Sequence, residues 1–281
     1  MTAFEKIRSE ADDRILIASH RGICGGNIPP NTLEAYEIGL RSGADIIECD
    51  ITKLADGTLV MFHPGTELEC TSLPRNTLET MTWEELKTHH LHSLCRARTQ
   101  YPFYTLDDTL EFLKDRCYIN LDKCWLNLPE IVQTVRRHKM QEQCLLKSDP
   151  EERYLQAVEE LAPDIPYMPV YRGKDIWTDD LLKRNIRFWG AELVYPDPGN
   201  ELASDAYIRK MRSLGKKLWI NGIVFNFKTV LSGGHTDDLA LTADPKDHWG
   251  WFADRYDIIQ TDWPYLLRAY LTESGKMKKQ R

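Results

Sequence analysis

The chain has 281 residues, of which 42% are hydrophobic and 28% charged, and its formal net charge is −7 at pH 7. This length suits one α/β barrel, and the negative charge argues against a nucleic-acid surface as the main binding site. No run approaches the roughly 20 apolar residues that span a bilayer, so stable membrane insertion is not expected. The seven cysteines contain no Cys-x-x-Cys pair, and no secretory signal is visible, which favours a reducing cytoplasm.

Short β-rich runs alternate with segments of helical periodicity along most of the chain. The predicted strands are residues 15–19, 45–51, 117–122, 143–148, 167–170, 191–195, 217–223 and 258–262. The predicted helices are residues 32–42, 106–114, 128–138, 151–161, 178–184 and 204–214. Eight strands that alternate with helices predict a single (β/α)₈ TIM barrel domain over residues 1–281. A doubly wound sheet is disfavoured because no G-x-G-x-x-G loop follows a strand.

A ninth β-rich run, which ends at His63, is interpreted as the return arm of a hairpin that begins in the second strand. Asp56-Gly57 separates the two arms and is a strong hairpin signal. With these two residues as the loop, Asp50 lies directly opposite His63, with Cβ atoms roughly 5 Å apart. Glu48 shares a face with Asp50, because side chains two residues apart on a strand point the same way. The sequence therefore predicts two carboxylates and an imidazole at one place.

Two long connections do not follow the alternation of strands and helices. Residues 67–100 contain a capped helix and a piece rich in histidine and arginine, and we interpret them as a small insertion beside the active site. Residues 224–250 are expected to form an irregular connection. In a TIM barrel both would lie at the carboxyl ends of the strands, which is the face that carries function.

Polar residues stand at the carboxyl ends of at least five predicted strands, and one shared site explains this best. Glu48, Asp50 and Asp122 would repel one another at the mouth of the barrel unless a cation lay between them. An all-oxygen ligand set suits Mg²⁺ or Ca²⁺ rather than Zn²⁺. The alternative is a buried ion network in which nearby arginine and lysine side chains neutralise the carboxylates.

His20 and His63 are the candidate proton-transfer pair, because imidazole titrates near pH 7 and both residues flank the carboxylates. Arg21 is suited to bidentate recognition of an anion, and Lys123 and Lys147 would add point charges to the same anion. A phosphodiester carries negative charge and develops more in the transition state, so it fits this set of cations.

The chain resembles the glycerophosphodiester phosphodiesterase family in segments that cover most of its length in the right order. The matching segments include His20-Arg21-Gly22, Asn31-Thr32 with the three residues after it, and residues 43–50, 56–63, 104–107, 119–122 and 259–264. The resemblance implies a metal-dependent hydrolase on a barrel fold, which converts glycerophosphodiesters to sn-glycerol 3-phosphate and an alcohol.

The resemblance also implies a role for each of the main candidate residues. His20 and His63 would be the acid/base pair, and Arg21 would contact the phosphate. A substrate hydroxyl next to the ester would attack phosphorus, and water would then open the cyclic intermediate. The ligands of one divalent cation, Mg²⁺ or Ca²⁺, would be Glu48, Asp50 and Asp122.

One departure from the family pattern concerns the phosphate contacts. Cys124 stands where the family usually has a lysine, so Lys123 or Lys147 is predicted to replace it. On the seventh predicted strand, Trp219 and Asn221 are further candidates for contact with the substrate.

Three other functions are compatible with these residues. The first is the same chemistry on a sugar phosphodiester or a lysophospholipid, including an enzyme that stops at the cyclic phosphate. A non-catalytic barrel that binds a metal and a phosphorylated ligand is the second. The third is a metal-dependent sugar isomerase or aldolase, to which no residue points specifically.

Overall fold

The computed structural model describes residues 1–225 and 228–279. Within them eight parallel strands close into a barrel, which confirms the predicted fold. The ring closes because the first strand pairs with both the second and the last. The strands are β1 (Leu16–Ser19), β2 (Ile46–Lys53), the hairpin arm β3 (Leu59–Met61), β4 (Tyr118–Asp122), β5 (Cys144–Ser148), β6 (Tyr167–Arg172), β7 (Gly190–Val194), β8 (Lys217–Asn221), the short pair β9 (Val224–Phe225) and β10 (Thr229–Val230), and β11 (Ile258–Thr261).

Helices precede, connect and follow the strands. They are α1 (Ala3–Glu10), α2 (Leu33–Arg41), α3 (Glu67–Cys70), α4 (Trp83–Leu86), α5 (Leu106–Leu113), α6 (Leu128–Arg137), α7 (Glu152–Leu161), α8 (Thr178–Leu181), α9 (Asp205–Ser213), α10 (Asp237–Thr242), α11 (Trp251–Arg255) and α12 (Pro264–Glu273). Five of the six predicted helices agree with the structure closely, and only α8 is clearly shorter than predicted. Among the described residues, no helix is both long and apolar enough to cross a membrane.

The barrel has an inner core and an outer core. The inner core holds one side chain or more from most strands, and α1 closes it at the amino ends of the strands. The Phe4 ring of α1 packs edge-on against Tyr118, with ring centroids 4.9 Å apart. On β2, Ile46 belongs to the inner core, whereas Ile47 faces the helices. This alternation also points Glu48 and Asp50 inward, above the inner core.

The register of the β2–β3 hairpin differs by one residue from the prediction. The strand pairing, continued by one residue, places Asp50 opposite Phe62, whose N–H donates to the Asp50 carbonyl at 3.0 Å. The loop has three residues, 55–57, and ends at Gly57 in the left-handed region with φ 88°, as in three-residue hairpin loops with a bulge. The prediction that Asp50 directly opposes His63 is wrong, because it assumed a two-residue loop.

The segment after the hairpin packs on a small core of its own. This core contains Leu54, Val60, Phe62, Leu78, Leu86, Leu91 and Phe103. Thr82 caps α4 and exchanges side-chain and backbone hydrogen bonds with Glu85, as the capped-helix pattern predicts. These contacts hold residues 67–100 against the hairpin that carries His63.

The connection at residues 224–250 is more regular than expected. It contains the β9–β10 pair, helix α10 and a π-helical turn over Lys246–Gly250. Residues 226–227 of this connection, and residues 280–281 of the predicted domain, lie outside the described part of the chain.

Candidate active site

A cavity of about 170 Å³ opens at the carboxyl ends of the barrel strands. Most of the predicted site residues line it, although they come from strands far apart in sequence. They are His20, Arg21, Glu48, Asp50, His63, Asp122, Lys123 and Asn221. The cavity is therefore where the chain brings its predicted chemistry together.

Three carboxylates converge in this cavity because of the register of two neighbouring strands. Asp50 on β2 lies opposite Asp122 on β4, and Glu48 lies two residues earlier on the same inward face. One oxygen from each carboxylate lies within 4.8 Å of the others. Glu48 and Asp50 are buried, and Asp122 is partly exposed.

Burial and charge act differently on the two buried carboxylates. Burial raises the pKa of Glu48 well above its usual value, and the neighbouring charges of Asp50 and Asp122 raise it further. Burial also raises the pKa of Asp50, but the charges of Arg21 and His63 outweigh it and hold that pKa below its usual range. The Arg21 Nε atom lies 2.8 Å from Asp50 Oδ2.

The carboxylate cluster fits a hard divalent cation. Asp50 Oδ1 is buried and accepts no hydrogen bond from the described residues. A buried oxygen of this kind has a high desolvation cost unless a ligand or a cation satisfies it. Because the converging donors are all oxygen atoms, Mg²⁺ and Ca²⁺ match the donor set better than Zn²⁺ does.

The two histidines reach the cavity from different surroundings. His20 follows β1, and its Nδ1 lies 2.9 Å from Asp262 Oδ1, which leaves Nε2 for other partners. His63 lies two residues after β3, and neither of its ring nitrogens forms a hydrogen bond with the described residues. Its Nε2 lies 3.9 Å from Asp50 Oδ1. Burial lowers the pKa of His63, and the charge of Asp50 opposes this.

A tight turn after β1 positions Arg21. Arg21 and Gly22 both have left-handed backbone angles, with φ 54° and 75°. A Cβ atom at Gly22 would lie 2.5 Å from the Ala35 backbone, so a side chain does not fit there. The turn lets the Arg21 N–H donate to Glu48 Oε2 at 2.9 Å, while its side chain pairs with Asp50.

The predicted lysines occupy different positions. Lys123 lines the cavity and its Nζ donates to Asp122 Oδ2 at 2.8 Å. Lys147 is only 1% exposed and donates to Glu192 at 2.8 Å, with its Nζ 3.1 Å from the ring centroid of Trp219. Trp219 is 0% exposed. Substrate contact by Lys147 or Trp219, as the sequence suggested, does not agree with this burial, since neither side chain reaches the cavity.

Several site residues were not found by sequence reasoning. Asn31 holds Asp50 in place, because its Nδ2 donates to Asp50 Oδ2 at 3.0 Å and its Oδ1 accepts from the Asp50 N–H at 3.1 Å. Asn221 donates to Glu192 Oε1 at 2.7 Å. Glu192 lines the cavity and was also missed. It lies in a predicted strand, and its inward-facing position there could have identified it as a site residue. Other lining residues that were missed include Trp125, Arg172, Phe225 and Gln260.

Comparison with known sequences gives a family match over most of the chain. The model of the glycerophosphoryl diester phosphodiesterase family matches residues 20–219. A glycerophosphodiester phosphodiesterase of Bacillus altitudinis is 36% identical over 101 residues, which are 36% of this chain and 40% of that protein. An uncharacterized protein of Bacillus subtilis is 26% identical over 210 residues, 70% of this chain and 82% of that protein. The chain thus aligns with less than half of the Bacillus altitudinis enzyme.

Solved structures share the fold at low sequence identity. A glycerophosphoryl diester phosphodiesterase of Parabacteroides distasonis has a TM-score of 0.76 and 19% identity, and the match covers 100% of this chain and 98% of that one. An Oleispira antarctica phosphodiesterase in complex with the product sn-glycerol-3-phosphate has a TM-score of 0.66 and 18% identity, over 92% of this chain and 97% of that one.

Proposed function

Because this chain belongs to the glycerophosphoryl diester phosphodiesterase family, we propose that it hydrolyses glycerophosphodiesters to sn-glycerol 3-phosphate and an alcohol. The observation that carries the proposal is the convergence of three carboxylates, two histidines and one arginine in a single cavity. The product named for the Oleispira antarctica enzyme supports this choice of substrate. In this proposal residues 1–281 act as one barrel domain, and residues 67–100 are an insertion beside the site.

A divalent cation is the cofactor in this proposal. Glu48, Asp50 and Asp122 would hold it, as Mg²⁺ or Ca²⁺, with the carboxylate oxygens described above. When bound, the cation offsets negative charge on the phosphate in the transition state. It also relieves the repulsion among the carboxylates, which supports this assignment over a purely structural ion network.

His20 and His63 form the acid/base pair. One imidazole takes the proton from the substrate hydroxyl that attacks phosphorus, and the other protonates the departing alcohol. In the second half of the reaction, water opens the cyclic phosphate. The imidazole that protonated the alcohol now takes a proton from this water, and the other imidazole returns its proton to the glycerol oxygen. Asp262 engages His20 Nδ1, so His20 acts through Nε2.

Two positively charged side chains bind the phosphate oxygens. Arg21 offers a planar guanidinium at the edge of the carboxylate cluster, and Lys123 offers an ammonium just after the carboxyl end of β4. Burial lowers the pKa of Lys123, but the charges of Asp122 and Asp50 outweigh it and raise that pKa, so the ammonium stays charged at pH 7. Lys123, rather than the buried Lys147, replaces the usual family lysine.

The test uses two diesters that differ in one hydroxyl. Purified protein with Mg²⁺ or Ca²⁺ is incubated with glycerophosphoethanolamine and with its analogue that lacks the glycerol 2-hydroxyl. We expect sn-glycerol 3-phosphate from the first and no cleavage of the second. Cleavage of neither would contradict the hydrolase, and equal cleavage of both would contradict attack by the substrate hydroxyl.

A further inference from the structure

A second, larger cavity of about 600 Å³ opens beside the catalytic cavity. Arg21 and His63 line both cavities, so the two spaces meet at these side chains. Most other walls of the larger cavity come from the segment after the hairpin, between residues 64 and 96, rather than from the barrel strands. A phosphodiester with its phosphorus near Arg21 and His63 therefore has one space for each of its two substituents.

The two spaces differ in what they offer a substituent. The smaller cavity contains the carboxylate cluster, His20 and Lys123, which suits the glycerol phosphate part that all substrates of this reaction share. The larger cavity has more than three times the volume and none of those groups among its described lining residues. The alcohol part, which varies among diesters, therefore belongs in the larger cavity.

The larger cavity carries an excess of positive charge. Arg75 donates to the Glu69 carboxylate, so these two side chains form a neutral pair. Arg96 and Lys228 are exposed lining residues that add two positive charges. The lining therefore suits a negatively charged alcohol and opposes a positively charged one.

Arg96 is presented by a hydrogen-bonded turn. Its N–H donates to the Ser93 carbonyl at 2.8 Å, and the Ser93 N–H donates to the Ala97 carbonyl at 2.9 Å. Its left-handed φ of 61° is an uncommon backbone angle for an arginine, and the turn around it maintains that angle. Leu91, just before the turn, is buried in the small core beneath it. The position of the Arg96 backbone is thus set before a ligand arrives.

We propose that this larger cavity binds the alcohol part of the diester and selects alcohols that bear an anionic group, through Arg96 and Lys228. This inference rests on the proposed hydrolase function and adds the substrate class to it. The anionic group, a carboxylate or a phosphate, pairs with the two exposed cations while the scissile phosphate stays between Arg21 and His63.

Three synthetic diesters of sn-glycerol 3-phosphate test the selection, because their alcohols differ mainly in charge. The alcohols are glycolate, ethanol and choline, which are negative, neutral and positive. We expect kcat/KM to fall in that order, with glycolate preferred over choline by about tenfold at low salt, given the modest strength of ion pairs at exposed positions. The preference should shrink at high ionic strength, because salt screens exposed charges.

Variants separate the cavity residues from their neighbours. Arg96→Gln should lower kcat/KM for the glycolate diester more than for the ethanol diester, mainly through KM, and adding Lys228→Gln should abolish the order among the three. Arg98→Gln is the matched control, because Arg98 is exposed directly after the same turn and is not among the residues that line the cavity. It should keep the wild-type order.

The outcomes distinguish this inference from the function on which it rests. If none of the three diesters is hydrolysed, the proposed function fails and the inference fails with it. If all three are hydrolysed equally, or choline is preferred, the function stands and the anionic selection is wrong. If Arg96→Gln and Arg98→Gln lower all three rates alike, the turn has only a structural role, and the selection by Arg96 is also wrong.

Discussion

In the proposed mechanism single side chains carry the chemistry, and the two histidines are the clearest test of it. His20→Ala and His63→Ala should each lower kcat by roughly 10²-fold or more, because each removes one partner in proton transfer. Circular dichroism and thermal unfolding should stay close to wild type, since both side chains lie at the edge of a solvent-accessible cavity. Steady-state release of sn-glycerol 3-phosphate measures the effect.

A matched control for the histidines is His138→Ala. His138 pairs with Asp107 at 2.6 Å on the outside of the barrel and does not line the catalytic cavity. Its loss should leave kcat near wild type. Near-wild-type kcat in His20→Ala or in His63→Ala would reject that residue as the acid or base.

The carboxylates allow a test of the proposed cation site that is separate from folding. Asp122→Asn removes one charged ligand and should raise the metal concentration that gives half-maximal activity, while the Tm at saturating metal changes little. Asp164→Asn is the control, because Asp164 pairs with Arg136 on the surface. Equal metal titration curves for wild type and Asp122→Asn would remove Asp122 from the ligand set.

Among the strands, a buried ion pair joins β5 to β7 at the candidate active site. Lys147 on β5 donates to Glu192 on β7, and Asn221 on β8 donates to the other Glu192 oxygen. Burial lowers the pKa of Lys147, and Glu192 opposes this. Burial raises the pKa of Glu192, but Lys147 outweighs it, so the pKa of Glu192 lies below its usual value of 4.5. The pair therefore favours the charged form of Glu192.

This pair predicts a pH-dependent loss of stability in Glu192→Gln. Breaking a buried pair leaves Lys147 without its partner and should cost about 3–5 kcal/mol near neutral pH. Because the pKa of the Glu192 carboxyl is lower in the folded than in the unfolded protein, its ionisation stabilises the fold at pH values above the unfolded-state pKa. This stabilisation is lost as the pH falls through the folded-state pKa. The difference in unfolding free energy between wild type and variant should thus shrink below about pH 4.

Urea unfolding at several pH values measures this difference. The control is Glu142→Gln, because Glu142 pairs with Arg187 at the surface, where one ion pair contributes about 1 kcal/mol or less. A difference between wild type and Glu192→Gln that stays constant from pH 7 to acid would contradict the account of the pair.

The elements were predictable where a local pattern determines them. Buried parallel strands are short apolar runs bounded by turns, and this pattern located all eight barrel strands. The hairpin register was not predictable in the same way, because Asp56-Gly57 fits both a two-residue and a three-residue loop. A one-residue change of register moves the partner of Asp50 from His63 to Phe62. His63 still approaches Asp50, because the chain leaves the strand after Met61.

The sequence did not show which predicted site residues are exposed to the cavity, because their exposure depends on side chains from several strands. Lys147 and Trp219 stand on inward-facing positions, as Asp50 does, but they lie deeper in the barrel and contact each other. Asn31 was quoted only as part of a motif, because its contact with Asp50 joins a loop to a strand 19 residues away. The role of a polar residue at a strand therefore depends on its depth as well as its face.

At the scale of the whole molecule, the barrel is closed at one end and open at the other. Helix α1 was not predicted, since residues 1–14 are mostly polar and charged, yet Phe4 and Ala11 complete the inner core. Phe4→Ala removes the ring that packs on Tyr118 and should lower the unfolding free energy by about 3–5 kcal/mol. The catalytic cavity is at the opposite end, so kcat below the melting transition should change little.

Calorimetry together with the rate assay measures both effects. Tyr265→Ala is the control, because Tyr265 is 67% exposed and should contribute little to stability. A Tm of Phe4→Ala equal to wild type would show that α1 does not contribute to the barrel core.

Product analysis is the first experiment to make on the proposed metal-dependent cleavage of a glycerophosphodiester. Metal-stripped protein is mixed with glycerophosphoethanolamine, Mg²⁺ or Ca²⁺ is added back, and phosphorus is followed by NMR. We expect no reaction without metal and release of sn-glycerol 3-phosphate once one of these ions is restored. Metal binding without any cleavage, or equal cleavage by the stripped protein, would rule out metal-dependent hydrolysis at this site.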